Sequence, residues 1–199
     1  MKQEDTKQRI LSESLRLFSE KGYDAVSVAE IASAVGIKAP SLYKHYKSKR
    51  DIFDSILKKM SEADSFYADE NDMPNADDDY INVPLESIKR FSTVMFKHWT
   101  EDDFAARFRR MLSLERFKNH EMAELYKGYI SSGPLDYMTD VFVGMNYSLD
   151  SAKQLALSFY APMFMLYTVY DESENKKEII SQAEKHINNF IDNLKEKSQ

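Results

Sequence analysis

Residues 27–46 read SVAEIASAVGIKAPSLYKHY, and the fold turns on this stretch. Val28, Ile31, Ala32 and Val35 recur at the i, i+3, i+4, i+7 spacing of one buried helical face. Ser27 stands where an N-cap belongs, its side-chain oxygen placed to accept an orphan amide of the first turn. Gly36 stops that helix, because glycine takes left-handed backbone without steric cost. Pro40 suits the first turn of a second helix and pushes Ala39 away from helical geometry before it. Two short helices around a glycine-bearing turn are the layout of a helix-turn-helix.

Successive side chains turn by about 100° along a helix. Leu42 and Tyr46, the large apolar pair of the second helix, therefore share a face and point inward. Lys44 and Pro40 point directly away, with Ser41 and Tyr43 on the flanks. A helix led by a lysine and short residues can enter a major groove about 12 Å wide, while flanking hydroxyls reach phosphate oxygens. The pattern by itself also fits an ordinary surface helical hairpin.

The surrounding residues add a resemblance. T-x-x-x-I-L from Thr6, FSEKG at 18–22, SVAEIA at 27–32, Gly36-Ile37 and LYKHYKSK at 42–49 resemble the DNA-binding domain of TetR/AcrR-type transcriptional repressors. The likeness is detailed over the first quarter of the chain and extends further only as helix number and length. It implies an all-α protein of nine to ten helices: an N-terminal three-helix helix-turn-helix domain followed by a larger helical ligand-binding and dimerisation domain. On that reading residues 1–48 form the DNA-binding domain, 49–67 a connecting helix and 68–199 the effector-binding and dimerisation domain. Lys44, Ser41 and Pro40 are expected to face bases, with Ala39 beside them. Tyr43, His45, Lys49, Ser27 and Lys38 are expected to hold phosphates. Lys38 stands where these repressors usually carry a serine or threonine, so any phosphate contact there is that of a point charge.

A net charge of −6 looks wrong for a DNA binder until it is divided. Residues 1–60 carry +4 and residues 61–199 carry −10, the pattern of a basic head on an acidic body. The absence of cysteine excludes disulfides and thiolate metal sites and fits a reducing compartment. MKQEDTKQR at the start has no apolar run, and no stretch of eighteen apolar residues follows, so a soluble cytoplasmic protein is expected. From Glu62 to Ser87 there is no Lys or Arg, and Asp77, Asp78 and Asp79 adjoin. The order of carboxylates there is not that of a calcium-binding loop, so a solvated acidic loop is expected and no metal.

Helical spacing resumes from Pro84: about Leu85–Trp99, Asp102–Phe117, His120–Ile130 and Leu135–Met145. A long helix to Tyr170 follows, opened at Pro162, and a last one starts at a Ser173 cap. These helices are rich in methionine and aromatic residues, which suit an adaptable cavity for a small hydrophobic effector. By resemblance the lining is expected from Phe91, Met95, Trp99, Phe108, Met111, Tyr126, Tyr129, Phe159, Met163 and Tyr167. Glu115 is a candidate anchor for a cationic or hydrogen-bonding group, with solvent exposure or pairing to Arg116 or Lys118 as the alternative.

Leu155 and Leu166 on the long helix, with Ile180, Ala183, Ile187, Phe190, Ile191 and Leu194 on the last, read as an association surface. The pattern equally fits two helices closing their own core. The histidines, His45, His98, His120 and His186, are scattered, and no HExxH, GxSxG, P-loop or GxGxxG occurs. His98 and Asp102 at i, i+4 lack a third partner. The expectation is therefore no enzyme and no cofactor, but a homodimeric regulator. It would be a repressor of a palindromic double-stranded operator, released by a small-molecule effector. A protein-interaction module or antirepressor without operator binding is the alternative.

Overall fold

In a computed structural model of the chain, residues 5–75, 78–118 and 120–197 are described. Among them the regular elements are ten helices: α1 (Thr6–Lys21), α2 (Val28–Val35), α3 (Ala39–Leu42), α4 (Lys49–Glu70), α5 (Leu85–Glu101), α6 (Asp103–Glu115), α7 (His120–Ile130), α8 (Ser132–Gly144), α9 (Leu149–Glu172) and α10 (Lys176–Lys197). They divide into two compact units, Met1–Ala63 with Asp103–Tyr126, and Asp64–Asp102 with Lys127–Gln199. No described helix is long and apolar enough to cross a membrane.

In the first unit Asp5 caps α1 by accepting the Lys7 N–H at 3.3 Å, and Gly22 ends it at φ 86°. Ile10, Leu15 and Phe18 of α1 are fully buried with Ile31 of α2, Leu42 of α3 and Ile52, Phe53 and Ile56 of α4. α6 packs on α1 and adds Phe108, Met111 and Leu112 to this core. Each such side chain removed from water stabilises by about 1.5–3 kcal/mol, so α6 is a structural part of the unit. The unit is thus larger than the 1–48 head expected from the sequence.

In the second unit α9 runs unbroken through Pro162, although proline forfeits one hydrogen bond there. The expected opening is absent: the helix continues there with Phe159, Tyr160, Met163 and Tyr167 buried on both sides of the proline. α10 starts later than expected. Ser173 closes α9, its N–H donating to Val169 O at 2.9 Å, and Asn175 Oδ1 accepts the Glu178 N–H that opens α10.

The acidic stretch is not simply a solvated loop. α4 continues to Glu70, and Asn71, Met73 and Val83 are buried. Asp72 accepts from Arg90 at 2.9 Å, the Tyr137 hydroxyl donates to Pro74 O, and the Asn82 N–H donates to Gly144 O at 3.1 Å. Asp77, one of the adjoining carboxylates, lies outside the described residues.

Candidate functional site

The first-unit surface around α2 and α3 is built by local chemistry. Ser27 Oγ accepts the Glu30 N–H at 3.2 Å while the Glu30 carboxylate accepts the Ser27 N–H at 3.1 Å, a complete capping box. Lys21 donates to the same carboxylate at 2.9 Å, and this bond, then the Ser27 amide, holds Glu30 below the usual carboxylate range. Gly36 adopts φ 76° and ψ 31°, which lets the Ile37 N–H close on Ala32 O at 2.9 Å. Arg9 Nη2 donates to Val35 O at 2.7 Å, satisfying a carbonyl at the negative end of α2.

α3 begins after extended Lys38, which supplies no side-chain cap, and has Pro40 in its first turn. It is one helical turn long. Beyond it the Lys44 N–H donates to Ser41 O, and the His45 and Tyr46 N–H groups donate to Leu42 O, so the coil tightens. Leu42 and Tyr46 are buried as their spacing predicts. The Tyr46 hydroxyl donates to Lys7 O at 3.2 Å, and burial pushes its pKa up to about 12. Lys38, Pro40, Tyr43 and Lys44 are exposed; Ala39, Ser41 and His45 are half-buried beside them. Residues 37–47 contain no carboxylate, so the surface shown outward is cationic and hydroxyl-bearing.

Two expected phosphate contacts are otherwise engaged. The Ser27 hydroxyl belongs to the capping box. Lys49 turns inward: its ammonium donates to Tyr23 O and Val26 O, both at 2.9 Å, and sits 4.3 Å from the centre of the Tyr23 ring. Two of its three donors are spent inside the unit, making it a strut across the α1–α2 turn. Replacing Lys49 by methionine should destabilise the protein by about 1–3 kcal/mol and leave the salt slope of DNA binding unchanged. Denaturant unfolding and affinity at several salt concentrations check this. An unchanged stability with the slope reduced by about 1 per subunit would put Lys49 on a phosphate after all.

Comparison with known proteins gives this surface its context. Residues 10–56 match the family described as bacterial regulatory proteins, tetR family. The biofilm operon icaADBC HTH-type negative transcriptional regulator IcaR of Staphylococcus aureus (strain Newman) is 44% identical over 52 residues, 26% of this chain and 28% of that protein. The chain therefore matches little more than a quarter of that relative's length. Over most of the chain the likeness is one of fold. A transcriptional regulator from Aquifex aeolicus VF5 superposes with a TM-score of 0.67 at 18% identity, covering 92% of this chain and 98% of its own. The SmeT–triclosan complex superposes with a TM-score of 0.65 at 14% identity, covering 94% and 90%.

The N-terminal segment is thus similar to tetR-family regulatory proteins, and the fold of the chain to that of solved regulators. The residues expected to line a ligand cavity are divided between the two units. Phe108, Met111, Glu115 and Tyr126 lie in the first unit, and Phe91, Met95, Trp99, Tyr129, Phe159, Met163 and Tyr167 in the second. Glu115 Oε1 is engaged within the first unit, while its Oε2 is buried without a hydrogen-bond partner. The residue is fully buried, accepts the Tyr23 N–H at 3.2 Å and pairs with Lys118 at 2.6 Å. A Cβ on Gly22 would lie 2.3 Å from its Oε1, so Glu115 fills the space that Gly22 leaves.

In the second unit Phe96 stacks on Tyr167 at 5.1 Å, and Trp99 approaches Tyr129 at 6.2 Å. Phe159 packs on Phe190 at 4.7 Å and near His186. Beside these lie Asp64 and Tyr67, which are not among the residues singled out from sequence, and His98, weighed there only with Asp102. Tyr67 lies 4.8 Å from the His98 ring, and His98 5.9 Å from Trp99. The helical spacing of Asp64 and Tyr67 was the available signal.

The association surface also needs correction. Ile180, Ala183, Ile187, Ile191 and Leu194 are buried within the second unit, and Leu155, Leu166 and Phe190 are half-buried there. They close their own core, as α10 packs on α5 and α9. Leu157, Phe164, Met165 and Val169, with Ala161 among them, are exposed together along the middle of α9.

Proposed function

We propose that this chain is a repressor that binds a palindromic operator as a homodimer and lets go when a small hydrophobic or aromatic molecule occupies its second unit. The observation that carries the reading is the outer face of α3. Pro40, Tyr43 and Lys44 stand exposed over a buried Leu42 and Tyr46, on a surface without carboxylates. Lys44, Ser41 and Pro40 meet base edges; Tyr43, His45 and Lys38 meet the backbone. IcaR is by name a negative regulator, which supports repression. SmeT is a structural neighbour that carries triclosan, which supports a small-molecule effector.

Pairing follows from geometry. One short head supplies little affinity, and two-fold pairing places two heads about 34–36 Å apart on one face of the duplex. Leu157, Ala161, Phe164, Met165 and Val169 share helical spacing on α9 and supply the apolar strip such a contact needs. The protein works in the cytoplasm and catalyses nothing.

Lys44→Ala should weaken binding to a fragment carrying its operator by about ten-fold or more per subunit, since a lysine on a base edge is worth about 1–3 kcal/mol. The melting temperature should not move, because Lys44 touches nothing inside. Fluorescence anisotropy with labelled promoter DNA reads the first effect and thermal melting the second. Unchanged affinity in the folded variant would leave a protein-interaction module as the better account.

A further inference from the structure

We propose that Asp64 and His98, together with the rings of Tyr67, Trp99 and Tyr129, form the polar end of an effector site that takes an organic cation with an apolar body. The proposal rests on the effector reading above and names the class of molecule.

The five groups are neighbours within the second unit. Asp64 and Tyr67 are three apart on α4 and so share a face. Tyr67 lies 4.8 Å from His98, His98 5.9 Å from Trp99, and Trp99 6.2 Å from Tyr129. Tyr129 in turn feels the Asp64 charge: burial first, then Asp64, pushes its hydroxyl up to about 12. The rings meet at 50°, 66° and 59°, so they are angled walls rather than a closed stack.

Asp64 and His98 carry the unspent polar atoms of this cluster. Asp64 Oδ1 is buried with no hydrogen-bond partner, and so are both ring nitrogens of His98, whose side chain is only 9% exposed. Native proteins rarely leave buried polar atoms unpaired, because each such atom costs about 1–3 kcal/mol. Three of them, on residues linked through Tyr67, point to a partner that is not part of the chain. An uncompensated carboxylate asks for a cation or a strong donor. Tyrosine and tryptophan faces attract cations and shed water from an apolar body. His98, kept neutral because burial lowers its pKa, offers one donor and one acceptor. None of the five groups is a Lys or Arg, so nothing here would hold an anion.

Trp99 is the only tryptophan of the chain, so its fluorescence reports the site directly. The full-length protein is titrated with phenylbutyltrimethylammonium, phenylbutanol and phenylbutyrate, which share one body and differ in charge. The cation should quench saturably and bind about ten-fold tighter than the alcohol, and the carboxylate should bind weakest. Asp64→Asn should erase that preference while leaving alcohol affinity and the native fold in place, with stability raised rather than lost, and His98→Phe should weaken all three compounds without changing their order. Alcohol or carboxylate binding as tightly as the cation, or a cation affinity indifferent to Asp64→Asn, overturns the proposal and leaves the effector reading standing. No saturable quenching by any compound also overturns it. If a wider set of hydrophobic compounds then fails to release promoter DNA, the effector reading fails separately.

Discussion

Asp64→Asn is expected to melt roughly 5–10 °C above the wild-type chain at pH 8 and to lose most of that lead by pH 5. Burial raises the Asp64 pKa from its ordinary 3.8 to about 7. The folded chain therefore holds this proton where the unfolded chain has lost it, and stability falls as pH climbs between those two values. Below pH 4 there is no penalty; above pH 7 the ionised carboxylate sits unpaired, at a cost of about 4 kcal/mol. Asparagine keeps the shape without the charge, and its own unmet amide returns part of the gain, leaving about 2–4 kcal/mol at pH 8. Between pH 8 and pH 5 the gap should narrow by about 2–3 kcal/mol. Thermal or urea unfolding of both proteins across that range decides it. Parallel pH profiles would mean that Asp64 is solvated in the folded chain. A residue that lowers stability at neutral pH is hard to explain by folding alone, which is why its retention points to binding.

The second large effect is at Gly144, near the end of α8. An ideal Cβ there would lie 1.3 Å from Tyr80 O and 2.4 Å from Tyr80 C. Those are backbone atoms, which no side-chain rotation can move away. Helix propensity favours alanine over glycine by about 1 kcal/mol, so the sign depends on the overlap. Accepting a methyl means lifting the segment around Tyr80, losing the Asn82 N–H bond to Gly144 O and uncovering Val83. The overlap wins, and Gly144→Ala should destabilise by about 2–3 kcal/mol in urea unfolding. Gly128 in α7 is the internal control: a Cβ there meets nothing within 4 Å. Gly128→Ala should be neutral or stabilising by up to about 1 kcal/mol. Equal effects at the two positions would show that the Tyr80 segment does not rest on α8.

The parts of the molecule that could be read from the chain are those decided locally. Gly36, Pro40 and the Ser27 cap act within a few residues of themselves, so the α2–turn–α3 layout and the inward pair Leu42 and Tyr46 follow from spacing. Lys49 is different: its carbonyl partners lie 23 and 26 residues earlier, in a connection that looks featureless as text. Glu115 reaches Tyr23 across 92 residues. The α10 stripe from Ile180 to Leu194 announces that something apolar covers it, but not whether the cover is the same chain, and here it is. Asp64 hides for another reason. In a chain with thirty-three acidic residues one more carboxylate reads as solvated, and only packing reveals that one of its oxygens is shut away.

Tyr23 is gripped at both ends of its backbone, its N–H by Glu115 of α6 and its carbonyl by Lys49 of α4. Four residues later comes Ser27, where α2 begins. The two helices thus share a single handle, and neither can slide without tugging the segment that leads into α2. On the proposed function, play at that clasp would blunt operator choice without altering one atom that meets a base.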